Sequence, residues 1–205
     1  MKRMRTLVLA AATAAALIAI AGVSTATASN TALCEQHEEP CAGANIYVGH
    51  FEALAENPTF LTNATSISCH KGRILGFALG LAIPQVTHLE ALTFTEDCLT
   101  EGGSPCAVES TELGLLLILR IALNLASAKM DNTRVLVSCP MVMIHCIYEM
   151  SPVMHVSGSP NANSLAEIKA VELPLKQGEG MFCPAEPKFD AEYKVVEPDP
   201  IAITG

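Results

Sequence analysis

The clearest periodicity in the chain is an alternation of aliphatic residues between Leu113 and Leu125. All seven odd-numbered positions of this stretch are aliphatic, whereas the even-numbered positions include Gly114, Arg120 and Asn124. Side chains at every second position lie on one face of a β-strand. The pattern therefore predicts a long core strand whose odd-numbered face is buried.

A turn and a second long strand are predicted directly after it. Residues 127–134 include Asp131 and Asn132, which are typical of turns, and the apolar stretch Val135–Tyr148 follows. Together the two apolar stretches predict a long hairpin. Five shorter apolar segments are also predicted as strands: Phe60–Cys69, Ile74–Ile83, Leu89–Phe94, Val153–Val156 and Glu192–Val196. Short strands separated by turn signals predict an all-β fold, an antiparallel β-sandwich or barrel-like domain with disulfides.

One segment has two interpretations. Ser164–Glu167 has the pattern of a capping box, and Leu165 with Ile168 fits a short helix. A strand over Ile168–Leu173 explains the same part of the chain equally well.

The beginning of the chain has the features of a secretory signal peptide. Residues 2–5 carry three basic side chains, 7–21 are apolar apart from Thr13, and Ala26-Thr27-Ala28 matches a cleavage site. We therefore expect a signal helix at 1–28, with Ser29 as the first mature residue. An N-terminal arm at 29–45 and a single β domain at 46–205 would follow. This processing places the protein outside the cell or in the cell envelope.

A second apolar run, at 113–128, is too short to be a membrane span. It contains Arg120, and a spanning helix requires about 20 apolar residues without a central charge. We therefore expect no transmembrane anchor after signal cleavage.

Charge and composition exclude some classes of protein. The chain has 12 basic and 21 acidic residues and a formal net charge of −9. Nucleic-acid binding requires clustered Lys and Arg, so we expect no nucleic-acid partner. Aromatic residues make up only 4% of the chain and tryptophan is absent. This composition argues against a polysaccharide hydrolase, which needs aromatic platforms for sugar rings.

Eight cysteines in an exported chain predict a disulfide framework. Cys34 and Cys41 flank a polar loop that can close on itself. Cys98 and Cys106 flank the turn residues Gly102-Gly103-Ser104-Pro105, which bring the ends of that segment together. We predict a local disulfide in each case.

The other four cysteines are harder to pair. Cys139 and Cys146 would be about 23 Å apart on a straight strand, whereas a disulfide requires Cα atoms within about 7 Å. They can pair only if the chain reverses within 140–145, and Cys69 and Cys183 are then left for each other.

One group of side chains is a candidate metal site. Thioether and imidazole groups suit copper, and several of them fall on one face if 135–148 is extended. The candidate ligands are Met141, Met143, His145 and His155. The alternative is that methionine fills gaps in a core poor in aromatic residues, and this reading is favoured. The sequence otherwise predicts no cofactor.

No catalytic motif is present. The chain contains neither Gly-x-Ser-x-Gly nor His-Glu-x-x-His. We therefore favour a secreted or envelope-associated, non-catalytic β domain with a binding or structural role over an enzyme. The alternatives are a secreted hydrolase and a copper-handling protein with a Met/His cluster. The six histidines distinguish them, because a catalytic or metal site would gather several in one pocket.

The order of several short segments resembles a group of uncharacterised secreted, cysteine-containing actinobacterial proteins. The segments are Leu33-Cys34 through Cys41, Ala44–Tyr47, Ile67–Cys69, Leu92–Cys98, Cys106, Val171–Leu175, Phe182–Pro184 and Phe189–Val195. The resemblance spans most of the mature chain. It implies a secreted, disulfide-containing β domain with Ile168–Leu173 as a strand, and it implies no activity. The stretch 113–148 departs from the group in being more aliphatic and richer in methionine.

Overall fold

The structure is a computed structural model that describes residues 31–35, 41–62, 65–80, 85–95, 97–122, 124–158, 165–178, 183, 185–198 and 201–204. The expected signal peptide, its cleavage site and Ser164 lie outside these residues. The described residues form strands and two 3₁₀ turns, at Gly43–Asn45 and Pro140–Val142. The strands are β1 (Ala32–Cys34), β2 (Gly49–Glu56), β3 (Thr59–Leu61), β4 (Ser66–Ser68), β5 (Lys71–Ala78), β6 (Gln85–Phe94), β7 (Cys98–Thr100), β8 (Pro105–Glu112), β9 (Leu115–Ala122), β10 (Leu125–Asp131), β11 (Thr133–Cys139), β12 (Ile144–Met150), β13 (Val153–Ser157), β14 (Leu165–Glu172), β15 (Leu175–Gly178), β16 (Lys188–Glu197) and β17 (Ala202–Thr204). The predicted all-β antiparallel fold is confirmed.

Most of these strands are halves of longer ones. A break of one to three residues separates the two members of each pair β2/β3, β4/β5, β6/β7, β8/β9, β10/β11, β12/β13 and β14/β15. Both members of each pair lie beside both members of the next, and β16 completes the set as one unbroken strand. The sheet thus consists of eight long strands that run up and down in chain order.

The eight long strands close into a ring. β16 pairs with β14 along one edge and with β2 and then β3 along its other edge. The last long strand therefore contacts the first, and the sheet is barrel-like rather than a sandwich of two open sheets. Closure removes most of the free strand edges that an open sheet would present, and among the described strands β15 pairs on one side only, with β12.

The breaks follow one another around the ring as a stepped belt: those of β4/β5 and β6/β7 lie side by side, whereas the β8/β9 break lies beside Leu89, inside β6. Asn57 and Asn132 have positive φ angles of 53° and 54°, a conformation that asparagine tolerates. Gly114 is needed at its break because a Cβ there would overlap the backbone of the neighbouring strand at Asp131. Backbone hydrogen bonds continue across the belt, for example from the N–H of Leu89 to the carbonyl of Gly114 at 3.2 Å. The belt divides the barrel into an upper half (β2, β5, β9, β10, β13, β14) and a lower half (β3, β4, β7, β8, β11, β12, β15), while β16 extends through both and β6 begins in the upper half and ends in the lower.

The lower half is filled and crosslinked. The rings of Phe60 and Phe189 lie 4.7 Å apart, and that of Phe94 lies 5.4 Å from Phe60. Three disulfides surround them: Cys69–Cys98, Cys106–Cys139 and Cys146–Cys183. Each one joins two segments that are 29 to 37 residues apart in the chain. These three disulfides covalently crosslink segments of the lower half that are distant in the chain.

The predicted Cys98–Cys106 disulfide is wrong, although the two residues are direct partners across β7 and β8. Cys69 stands on the other side of Cys98, with Cα atoms 3.9 Å apart, and Cys139 stands beside Cys106, with Cα atoms 4.2 Å apart. Four cysteines thus form one row across neighbouring strands. Pairing the middle two would leave the outer two out of reach of each other, whereas the observed pairing uses all four.

Of the remaining cysteine predictions, one pairing is confirmed and the others are wrong. The Cys34–Cys41 disulfide forms as predicted. The chain does reverse between Cys139 and Cys146, through the 3₁₀ turn at Pro140–Val142, but these two cysteines bond to Cys106 and Cys183 instead. A pairing of Cys69 with Cys183 is therefore also wrong.

The predicted orientation of the Leu113–Leu125 stretch is wrong. Leu116 and Ile118 on β9 point inward and are 7% exposed, whereas the odd-numbered Leu119 is 46% exposed. The predicted turn at 127–134 is also displaced, since β10 and β11 run through it with only Asn132 between them. The chain reverses earlier, at Asn124, whose φ is 56°. Aliphatic side chains on both faces of β9 explain why the period did not reveal which face is buried.

The other predicted segments are strands in large part. Residues 74–78, 89–94, 153–156 and 192–196 lie within β5, β6, β13 and β16. Phe60–Cys69 is instead a hairpin of β3 and β4. Leu165–Glu172 is strand β14, so a helix at this position is excluded.

A separate two-stranded ribbon closes the upper end of the barrel. β1 pairs with β17 through Ala32–Thr204, Leu33–Ile203 and Cys34–Ala202. β1 belongs to the segment expected as an N-terminal arm, and its three residues are buried. No helix among the described residues has the length and apolar character needed to cross a membrane.

Candidate functional site

The upper half of the barrel contains a partly enclosed cavity of about 60 Å³. It lies between the inner faces of six long strands and the underside of the β1–β17 ribbon. Every atom exposed to the cavity is apolar, including those of Tyr193. The lining residues are Leu33, Phe51, Ala53, Ile74, Leu116, Ile118, Ala128, Met154, Val156, Tyr193, Val195, Ile201 and Ile203.

Small residues on inward-facing positions create this space. Ala53 on β2 and Ala128 on β10 line the cavity, and both are buried. The corresponding interior of the lower half carries three phenylalanine rings and three disulfides. The sequence therefore fills one end of the barrel and leaves the other end partly hollow.

Three buried polar atoms, two at this end and one nearer the belt, have no hydrogen-bond partner among the described residues. They are Oε1 of Gln85, Oγ1 of Thr87 and the hydroxyl of Tyr193. Gln85 and Thr87 face inward from the start of β6 and are fully buried. Burial raises the pKa of Tyr193, so its phenol stays protonated and keeps a donor. An otherwise apolar interior thus carries hydrogen-bonding capacity that the described residues do not use.

The β1–β17 ribbon forms the roof of the cavity. Three of its side chains, those of Leu33, Ile201 and Ile203, line the cavity from above. Within the described part of the chain, the ribbon is held to the barrel by hydrogen bonds at a small number of places, including one from the Arg120 N–H to Oγ1 of Thr31, next to β1, at 3.0 Å. The Tyr47 N–H donates to the Leu33 carbonyl at 2.7 Å, and the Asn124 N–H donates to that of Ile203 at 3.0 Å. The Cys34–Cys41 disulfide links the ribbon to the segment that leads into β2.

Exposed aliphatic side chains lie around the ribbon at the same end of the barrel. Val48 precedes β2, Leu79 follows β5, and Ile121 and Leu125 flank the β9–β10 turn. Each of these four side chains is at least half exposed. The upper rim is therefore apolar outside as well as inside.

The candidate copper ligands do not form one site. Met141 and Met143 are exposed in the turn between β11 and β12, and His145 follows on the outer face of β12 with its Nδ1 3.3 Å from Ser138 Oγ. His155 lies on β13 in the upper half, across the belt from the other three. It lines an open cleft of about 290 Å³ that also contains Glu192. Among the described residues no three His, Cys, Asp or Glu side chains are placed to hold a metal ion.

Met150 and Met154, by contrast, are core residues. They are 0% and 1% exposed. Their position agrees with the gap-filling interpretation of methionine.

The described histidines lie on the exterior and on different parts of it. His50 pairs with Glu90 at 2.8 Å on the face of β2 and β6. His70 lines an open groove of about 460 Å³ at the belt, together with Ser66, Ser68 and Asp97. A catalytic triad requires hydrogen bonds between its members. Within the described part of the chain, no side-chain hydrogen bond joins His70 to these serines or to Asp97.

Sequence reasoning missed the cavity. The available signal was the alternation of small residues, Ala53 and Ala55 on β2 and Ala126 and Ala128 on β10, at inward positions. Small residues at every second position of two strands leave space in a barrel. That signal becomes specific only when the strands are known to face one another.

Comparison with known proteins identifies no relative. No protein-family model matches the chain, and neither the curated proteins nor the solved structures contain a match.

Proposed function

We propose that this protein is a secreted or envelope-associated, non-catalytic binding domain that holds a small apolar ligand inside the upper half of its barrel. The observation that carries the proposal is the partly enclosed apolar cavity beneath the ribbon. Eight-stranded barrels have an interior that side chains can just fill or that can hold one small ligand. In this chain three phenylalanine rings and three disulfides occupy the lower half, and the apolar cavity lies in the upper half.

The size of the cavity indicates how a ligand would enter. An apolar cavity of about 150 Å³ in another protein stays dry and takes up benzene or xenon. The cavity here, at about 60 Å³, is less than half as large. Ligand pockets for larger molecules usually measure about 300–1,000 Å³. A ligand bigger than a few heavy atoms therefore requires the ribbon to move outward.

The architecture permits that movement. The ring of eight long strands closes through β16 and uses neither β1 nor β17. The ribbon can therefore separate from the rim without breaking a strand pair of the barrel. Exposing Leu33, Ile201 and Ile203 to water would cost about 1.5–3 kcal/mol for each side chain. The ribbon consequently stays closed until a ligand supplies replacement contacts.

Two further features agree with this proposal. Four disulfides suit an oxidising compartment, as expected of an exported binding protein. The described histidines lie outside the cavity, so its wall offers no general base.

Fluorescence of a neutral apolar dye tests the proposal. The chain has no tryptophan, so N-phenyl-1-naphthylamine can be followed against a low protein background. We expect saturable binding of one dye per protein, and competition by short-chain hydrocarbons. The double variant Ala53→Leu/Ala128→Leu should abolish it, because both side chains grow into the cavity. Ala107→Leu, a matched change on the exposed face of β8, should leave binding unchanged.

Either of two results in the dye experiment would contradict the proposal. If the dye fails to saturate, or if the cavity-filled variant binds it as well as the wild type does, the ligand site is not inside the barrel.

A further inference from the structure

The inner face of β6 is polar where the rest of the upper barrel is apolar. Gln85 and Thr87 both point inward and both are fully buried. The amide nitrogen of Gln85 has a partner, the carbonyl of Val86 at 3.3 Å, but its oxygen has none among the described residues. The hydroxyl of Thr87 likewise has none.

Strand register places both side chains beside the cavity. Gln85 is paired with Ile118 and Thr87 with Leu116, and these two β9 residues line the cavity. Directly paired residues of antiparallel strands have Cβ atoms about 5 Å apart on the same face. Gln85 and Thr87 therefore occupy the wall next to the lining, one side chain away from the space. Tyr193 lines the cavity with its apolar atoms, whereas its hydroxyl, a third buried atom without a partner among the described residues, lies toward Gly72.

Such atoms are costly for a protein that uses the space only for packing. A buried polar group without a partner loses its hydrogen bonds to water and gains nothing in exchange. Valine for Thr87 or methionine for Gln85 would fill nearly the same volume without that cost. Binding sites, by contrast, combine a mostly apolar lining with a few polar groups that orient the ligand.

We infer that the ligand carries a hydrogen-bonding group, such as a hydroxyl, on its apolar body, and that Gln85 and Thr87 receive this group. The inference rests on the proposed function, since it names the chemical class of ligand for the same cavity. A hydroxyl can donate to the Gln85 oxygen and exchange a hydrogen bond with Thr87. A hydrocarbon of equal size can do neither.

Phenol and toluene provide a matched test, because they differ by a hydroxyl in place of a methyl group. Titration calorimetry of the wild type should show phenol binding at least as tightly as toluene, despite the stronger hydration of phenol. The double variant Gln85→Met/Thr87→Val should weaken phenol binding by about tenfold or more, because each lost hydrogen bond was made only to phenol. Its toluene affinity should stay within about twofold, since the apolar contacts remain. Thr111→Val, on the exposed end of β8, is the control and should change neither affinity.

A second readout separates recognition from a structural role. If the two side chains serve a ligand, the double variant without ligand should melt at a higher temperature than the wild type, because two unpartnered polar atoms are removed. A lower melting temperature would mean that both groups have structural partners, and would overturn the inference.

The binding results separate the two claims. Toluene binding without phenol binding, or phenol binding that survives the double variant, contradicts the inference and leaves the apolar cavity intact as a site. If neither phenol nor toluene binds to the wild type, the proposed function itself is contradicted.

Discussion

Replacing Ala53 by valine tests directly whether the upper half is hollow. Ala53 lines the cavity, and Ala55, two residues further along the inner face of β2, does not. Ala55 instead pairs with Gly72 on one side and with Tyr193 on the other, in tightly packed surroundings. Both changes are alanine to valine at an inward strand position, so the gain in strand propensity is the same for each. Only the available space differs.

The volume of the cavity sets the expected change in the free energy of unfolding. At about 24 cal/mol per Å³, the whole cavity of about 60 Å³ is worth about 1.4 kcal/mol. Two additional buried methyl groups at about 0.8 kcal/mol each lead to about 1.6 kcal/mol, so the two estimates agree. We expect Ala53→Val to stabilise the protein by up to about 1.5 kcal/mol. Overpacking should make Ala55→Val destabilising by about 1–3 kcal/mol.

Urea unfolding with the disulfides intact measures both variants. The difference in unfolding free energy between them should be at least about 1 kcal/mol, and the m values should match that of the wild type. In thermal unfolding each kcal/mol corresponds to about 2–4 °C in melting temperature for a chain of this size. Equal destabilisation by the two substitutions would refute the reasoning, because Ala53 would then face a packed interior.

Three further predictions concern the rest of the barrel. Leu119→Lys should change the unfolding free energy by less than about 0.5 kcal/mol, whereas Ile118→Lys should lower it by about 3 kcal/mol or more. Urea titrations in which both variants lose the same stability would contradict the assignment of Ile118 to the inner face of β9 and Leu119 to the outer face. Gly114→Ala should cost at least about 3 kcal/mol in the same titration, since its Cβ would overlap a backbone carbonyl of β10, and a mild loss would show that this break in the strand can relax. The hydrogen bond from Lys176 lowers the pKa of Glu149 in the folded protein below the usual glutamate value of 4.5. The Glu149–Lys176 pair therefore stabilises the fold above pH 4.5, and this stabilisation is lost as the pH falls through the pKa of Glu149 in the folded protein. Glu149→Gln should flatten this acid limb of the stability–pH curve, and an unchanged limb would exclude the ion pair as its source.

The sequence predicted the class of fold but not the face of each strand. Period-two patterns are strong wherever one face is polar, as in β16, where Asp190, Glu192 and Lys194 alternate with buried residues. On β9 both faces are aliphatic, and inward Ile118 and outward Leu119 are equivalent by composition. Which face is inside depends on register with β6 and β10, and register is a property of the assembled sheet.

The disulfides show a similar limit. A short loop with turn residues correctly placed Cys98 opposite Cys106. The bonding partners were decided by the strands on either side, which bring Cys69 and Cys139 just as close. Local geometry predicts which cysteines lie next to each other. Which of two adjacent cysteines forms the disulfide depends on the positions of all four cysteines across the neighbouring strands.

The candidate site was less predictable than the fold. A cavity is the absence of side chains between strands that are distant in sequence, and no local pattern encodes it. Gln85 and Thr87 gave no signal either, because isolated polar residues at a strand start are common. The exposed methionines were conspicuous in sequence, yet Met141 and Met143 lie in a turn at the opposite end of the barrel from the cavity.

Crystallography of the protein under xenon pressure tests the central claim most directly. Xenon occupies small, dry, apolar cavities and is located by its electron density without any assumption about the natural ligand. Our account predicts one xenon atom in the upper half, between Ala53, Ala128 and Leu116, beneath the β1–β17 ribbon. An empty upper half, or xenon found only among the phenylalanines of the lower half, would contradict it.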